Sequence, residues 1–155
     1  MVIKTAVIGL GIMGQRMLEH MEQHPEFEVV GIWDPEAGAC QAAQRYAPGA
    51  VVATDAISAI EIADLVYLAC PPAPRKAYAL AAAAQDKAVF LEKPLGINVE
   101  ESLDLVHQLE TYGVPCAVNF TQAAGAALTD ISAAAKDGTL GVLQGVDIIV
   151  TYPHW

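Results

Sequence analysis

Three glycines spaced as Gly9-Leu10-Gly11-Ile12-Met13-Gly14 stand directly between an apolar run, Val2–Ile8, and a helical pattern, Ile12–His24. Few architectures use that arrangement. Gly9 permits a tight turn out of the strand, Gly11 lets a ligand come close to the main chain, and Gly14 lets the helix pack closely on the sheet. The opening turn of the helix leaves N–H groups unpaired and carries about half a positive charge, so the loop suits a diphosphate. A lone GxGxxG is a weak signal. Its position in the first strand–loop–helix unit, starting at residue 2, makes it specific, against the alternative of a glycine loop that serves helix packing and holds nothing.

The same strand–helix rhythm continues along the chain. Phe27–Asp34 reads as a second strand, followed by a helix over Glu36–Tyr46 that Pro48-Gly49 closes. Val51–Ala53 and Asp55–Ile60 read as a short strand and a short helix. Leu65–Ala69 is a fourth strand stopped by Pro71-Pro72, then an alanine-rich helix, Ala73–Gln85, and a fifth strand, Ala88–Leu91. Asn98–Tyr112 is helical with a capping box between Asn98 and Glu101, and Val114–Asn119 is a sixth strand. Strands separated by helices demand parallel pairing with right-handed crossovers, which predicts an α/β, doubly wound parallel sheet in the order 3-2-1-4-5-6, the Rossmann arrangement.

A helix, Ala123–Lys136, and an alternating run, Leu143–Tyr152, follow. The expectation is a dinucleotide-binding domain over 1–122, with 123–155 as the first helix and strand of a C-terminal α+β substrate domain whose remainder is missing. Val146, Ile148, Val150 and Tyr152 fall on one face of that run, so it should pair with a neighbouring chain or be poorly ordered.

Charge and composition narrow the partners. With 18 acidic and 8 basic residues the net charge is −10, and no basic stripe exists to displace counterions from nucleic acid or to meet an anionic membrane. The longest uncharged apolar run, Ala77–Ala84, is far short of the roughly 20 residues of a membrane span. Cys40, Cys70 and Cys116 are widely spaced in apolar segments, without a CxxC or Cys/His cluster. They read as buried free thiols, with neither a disulfide framework nor a metal site. A cytoplasmic, homo-oligomeric protein acting on a small molecule is expected. In the first helix, Met13, Met17, Leu18 and Met21 read as core packing.

Asp34 ends the second strand, 20 residues past Gly14. A carboxylate there accepts two hydrogen bonds from a ribose diol and repels a 2′-phosphate, favouring NAD over NADP. Asp34-Pro35 is also a good helix N-cap, and the two roles are compatible. Ligands of such sheets lie outside the carboxyl ends of the strands, where Cys70, Pro71 and Pro72 also fall. Together with Ile12, Met13 and the three glycines, these residues form the predicted cofactor site. Glu92-Lys93-Pro94 follows the fifth strand at that same edge. The Lys93 ammonium can stabilise alkoxide character on a substrate oxygen. The alternative is a solvated Glu-Lys pair of little energetic weight.

Gly9–Gly14, Asp34, Pro71-Pro72 and above all Glu92-Lys93-Pro94-Leu95 make the chain resemble the glucose-fructose oxidoreductase/inositol dehydrogenase (Gfo/Idh/MocA) family over essentially its whole length. The resemblance implies hydride transfer between a nicotinamide and a sugar, cyclitol or similar polyol, a catalytic role for Lys93 beside the substrate, contacts from Glu92, and a cis bond before Pro94. Two positions depart from the family pattern: Arg75 stands where many members have histidine, and Ala123-Ala124 where they have Arg-Phe. The family's catalytic histidine and aspartate lie in a C-terminal domain. His20, His24, His107 and His154 offer no convincing replacement.

Two other readings compete. Gly-Leu-Gly-Ile-Met-Gly also suits a β-hydroxyacid dehydrogenase, but that family continues with Asn-Arg after the second strand and a serine-rich loop after the fifth, unlike Asp34 and Glu92-Lys93-Pro94. A non-catalytic NAD(P)-sensing module would keep the glycine loop and tolerate loss of Lys93.

Overall fold

Thr5, Ala6, Val7 and Ile8 are all completely buried, which a strand achieves only with a layer covering each of its faces. The computed structural model, which describes residues 2–121, 123–149 and 151, supplies both layers. Strands β1 (Ile3–Ile8), β2 (Phe27–Trp33), β3 (Val51–Val52), β4 (Leu65–Leu68), β5 (Ala88–Glu92) and β6 (Cys116–Asn119) form one sheet in the order β3-β2-β1-β4-β5-β6, every pair parallel. This is the predicted doubly wound order. Val2 lies outside the first strand and is half exposed, so the double burial begins only at Thr5.

Alternation along the strands divides the core. Ala6, Ile8, Val66 and Leu68 point to the face covered by α3 (Ala56–Glu61), α4 (Pro72–Ala83) and α5 (Val99–Tyr112). Val7 and Tyr67 point to the face covered by α1 (Ile12–Gln23) and α2 (Ala37–Gln44). Alanines at Ala59, Ala79, Ala82 and Ala83 bring α3 and α4 close to the sheet, which explains a core poor in aromatic residues. In α1, Leu18 and Met21 are buried whereas Met13 and Met17 are only half-buried, so the methionine stripe is core at one end only.

Asn98 caps α5 as expected, its Oδ1 accepting from the Glu101 amide at 2.8 Å. The Glu101 carboxylate reaches back to the Ile97 amide at 2.8 Å, one residue before the cap, so the reciprocal bond is displaced by one position. Helix α4 starts at Pro72 rather than Ala73, because a proline at the first helical position forfeits only an N–H that lacks a partner anyway. Cys40 and Cys70 are buried, but Cys116 is exposed. It sits on β6, the sheet's last strand, and the expectation of three buried thiols fails there.

Residues 1–119 and 120–155 form two separate compact units. The second contains α6 (Ala126–Lys136). The alternating run Leu143–Tyr152 forms no strand over its described residues, 143–149 and 151, while Val150 and Tyr152, like His154, lie outside the described residues. Alternation gives a strand its faces but not its ladder, and among the described residues no partner pairs with this segment. Among the described residues no helix is long and apolar enough to cross a membrane.

Candidate functional site

The glycine loop joins β1 to α1 at the carboxyl edge of the sheet. Gly9 has φ +92°, and a Cβ there would stand 2.3 Å from the Cys70 amide nitrogen. A Cβ on Gly14 would stand 1.9 Å from the Gly9 carbonyl oxygen and 3.6 Å from Ala69 Cβ. Gly14 therefore packs against its own loop more tightly than against the sheet. Gly11 is different: a Cβ there would meet nothing within 4 Å. Among the described residues nothing requires glycine at position 11. Gly11 also caps α1 without any side-chain hydrogen bond, so the first-turn amides stay available.

Asp34 stands across from this loop. Its Oδ2 accepts from the Leu10 amide at 2.7 Å and its Oδ1 from the Glu36 amide at 2.9 Å. The carboxylate thus ties the loop after β1 to the end of β2. Each carboxylate oxygen offers about two acceptor sites, so one on each remains for a donor from outside. The N-cap of α2 is Glu36, not Asp34, and Asp34 acts two residues earlier, its Oδ1 closing the chain over Pro35 onto the Glu36 amide.

The other side of the site comes from the loops after β4 and β5. Cys70 is buried there, and burial pushes its thiol up, with partial relief from the Arg75 charge, so it stays a neutral wall residue at neutral pH. Lys93 is exposed and the Lys93–Pro94 peptide is cis. Glu92 is not the solvated partner that a surface pair would require: it is 3% exposed. Its Oε1 accepts from the Tyr67 hydroxyl and from Asn119 Nδ2, each at 2.6 Å, and its Oε2 accepts from the Lys93 amide at 3.2 Å. Burial first, and then the bond to Glu92, push the Tyr67 phenol well above its ordinary range, which keeps it a donor. The single ion pair among the described residues is Lys76–Asp104, which involves neither Glu92 nor Lys93. Glu92→Gln should lower stability by about 1–3 kcal/mol, because its –NH2 group must face one of these donors. Thermal unfolding of the variant checks this, and an unchanged midpoint would contradict the network.

These pieces converge on one cleft of about 500 Å³. Gly9, Gly11, Met13 and Asp34 line one side, and Cys70, Pro71, Pro72, Glu92 and Lys93 the other. Of the predicted set, Ile12 and Gly14 are not among the lining residues. Ile12 is 81% exposed, and Gly14 is buried beneath the loop. Pro35, Ala69 and Arg75 line the cleft without having been predicted. No described histidine reaches it: His20, His24 and His107 are exposed on or beside α1 and α5. A hollow of about 380 Å³ on α6, in the second unit, gathers Leu128, Thr129, Ser132 and Lys136 and none of the motif residues.

The open space at Gly11, the uncapped helix start and the half-occupied carboxylate of Asp34 fit a dinucleotide: room for a diphosphate, donors for its charge, acceptors for a diol. Residues 3–120 match the Gfo/Idh/MocA family model, described as an oxidoreductase family with an NAD-binding Rossmann fold. The chain belongs to the Gfo/Idh/MocA family. It is 35% identical over 107 residues to an inositol 2-dehydrogenase of Pseudarthrobacter chlorophenolicus, covering 67% of this chain and 32% of that one. It is 29% identical over 112 residues to the 2,7-anhydro-N-acetylneuraminate hydratase of Escherichia coli K12, covering 72% of this chain and 30% of that one. Among solved structures, myo-inositol dehydrogenase from Lactobacillus casei, in complex with NAD(H) and myo-inositol, superposes with a TM-score of 0.84 at 27% identity. That match covers 91% of this chain and 43% of the other. This Gfo/Idh/MocA chain thus spans about a third of the length of these two curated relatives.

Proposed function

We propose that the chain is the coenzyme-binding part of an NAD-dependent dehydrogenase that oxidises a CH–OH group of a sugar, cyclitol or similar polyol. The observation that carries this reading is the convergence of an open glycine, a diol-ready carboxylate and an exposed lysine on one cleft. Main-chain amides at Gly11, Ile12 and Met13 bind the diphosphate, and Asp34 binds the adenosine ribose. The carboxylate disfavours a 2′-phosphate, so NAD is preferred to NADP. The nicotinamide supplies the hydride acceptor when bound. Lys93 lies on the opposite wall, where its ammonium orients the substrate hydroxyl and stabilises negative charge on that oxygen. Cys70, Pro71 and Pro72 give that wall an apolar surface that limits water.

The relatives named as inositol 2-dehydrogenase and myo-inositol dehydrogenase support a polyol substrate. Besides Asp34 and Lys93, the ionisable groups lining the cleft are all buried. With Asp34 given to the ribose, the described residues of the cleft offer no good proton acceptor to the substrate, and these 155 residues should retain NAD yet turn over little polyol. The same reading makes 123–155 the beginning of a substrate domain, and the protein a cytoplasmic homo-oligomer. Calorimetric titration should give saturable NAD binding and weaker NADP binding. Lys93→Ala should leave NAD affinity within about threefold, or roughly 0.7 kcal/mol. In a chain extended to the length of the relatives, the same change should lower kcat by 100-fold or more, about 2.7 kcal/mol. Full activity with Lys93→Ala would instead favour a sensing module. Retention of neither nucleotide would overturn the proposal.

A further inference from the structure

Arg75 is 2% exposed and stands in the first turn of α4, and nothing in coenzyme binding requires it. Burying an arginine is costly, and a hydrocarbon of the same volume avoids the cost, so a guanidinium kept there has something to hold. Its donors go to main-chain carbonyls rather than to a carboxylate. Nη2 donates to the Cys70 carbonyl, and Nη1 donates to the carbonyls of Glu92 and Pro94. Nε is buried and has no hydrogen-bond partner among the described residues.

The three carbonyls come from the turn after β4, at Cys70, and from the end of β5 and the loop beyond it, at Glu92 and Pro94, two segments that the sheet does not join there. Pairing of β4 with β5 ends at Leu68 opposite Leu91, so no ladder bond connects the Cys70 turn to the segment around Lys93. Two of the carbonyls are those of the residues on either side of Lys93. The Glu92 carboxylate accepts from the Lys93 amide and is anchored by Tyr67 and Asn119. The Lys93 main chain is therefore flanked by carbonyls that a buried cation holds, on Glu92 and Pro94, and its own amide is held by a buried anion.

The geometry points to Arg75 as a positioning residue that fixes Lys93 relative to the Cys70-Pro71-Pro72 wall of the cleft, and that can do so only as a planar cation with several donors. This rests on the placement of Lys93 at the reacting side of the coenzyme cleft. A lysine carries three donors on one nitrogen and cannot span carbonyls of two loops in a fork. A histidine offers at most two donors on a shorter stem.

Arg75→Lys tests the inference in the full chain. Amide hydrogen exchange at Lys93 should accelerate at least tenfold in the variant without any ligand. Reductive 13C-dimethylation gives each of the parent chain's five lysines, and the sixth that Arg75→Lys adds, an NMR signal, with that of Lys93 assigned in each chain through Lys93→Arg. Saturating NAD should move this signal in the parent chain. In Arg75→Lys the displacement should fall below half, while the dissociation constant for NAD stays within threefold. Unchanged exchange overturns the clamp, and faster exchange with an undiminished NAD response overturns its positioning role. Failure of the parent chain to bind NAD would sink the coenzyme reading, while exchange still decides the clamp. Should Arg75→Lys fail to fold, the side chains of the three arginines in the parent chain decide. One should show separate, exchange-protected Nη–H signals, and three rotationally averaged side chains would overturn the inference.

Discussion

Alanine at Gly14 should lower both stability and NAD affinity, whereas alanine at Gly11 should lower affinity alone. The two substitutions add the same methyl group to one loop, three residues apart. At Gly14 the new Cβ falls 1.9 Å from the Gly9 carbonyl oxygen. That oxygen cannot move aside like the end of a flexible side chain, because Gly9 is itself confined at φ +92° against the Cys70 main chain. Helix α1 and its loop must separate, at a cost of roughly 3 kcal/mol, the upper end of what overpacking exacts. At Gly11 the backbone, with φ −68° and ψ −163°, suits alanine, and nothing lies within 4 Å of the added atom. Stability should therefore stay within about 0.5 kcal/mol of the parent. The methyl group occupies the space where the diphosphate would approach, so NAD affinity should fall at least tenfold, about 1.4 kcal/mol. Denaturant unfolding and calorimetry on both variants separate the effects. A Gly11→Ala chain that binds NAD as tightly as its parent removes the loop from the coenzyme site.

The fold was legible because its signals are local. Strand and helix periods, the glycine loop and the Asn98 cap each sit within a few residues, and together they predict a sheet order that the structure reproduces. What escaped the sequence depends on distant partners. Glu92 and Lys93 are adjacent charges whose position alone left site and surface pair both open, until Tyr67 and Asn119, 25 and 27 residues away, bury the carboxylate. Arg75 was visible only as a departure from a family's histidine, since nothing in Pro71-Pro72-Ala73-Pro74-Arg75 reveals that its donors meet carbonyls near residue 93. The alternation of Leu143–Tyr152 failed for the opposite reason. Period two specifies which face a residue would take, but a strand also needs a neighbour, and the described part of that segment has none.

Asp34→Ala should weaken NAD binding by ten- to 100-fold and bring NADP to within a few fold of NAD. In the parent chain the carboxylate does two things at once. Its bond from the Leu10 amide at 2.7 Å satisfies the main chain of a residue that is completely buried, so its removal orphans that N–H at about 1–3 kcal/mol. In the proposed complex the remaining lone pairs would meet the ribose diol, where charge-assisted bonds contribute roughly 1.5–3 kcal/mol. A loss of binding alone would therefore be ambiguous, because a displaced glycine loop also weakens the hold on the diphosphate. The comparison of nucleotides resolves it. Loop displacement penalises NAD and NADP equally, since both carry the same diphosphate, whereas loss of the carboxylate removes a hydrogen-bond acceptor from one and a repulsion from the other. The NAD-to-NADP affinity ratio should fall at least tenfold, about 1.4 kcal/mol, on top of any common loss. A ratio that stays constant while both affinities drop would reduce Asp34 to a strut for Leu10 and leave the proposed preference for NAD without a cause in this cleft.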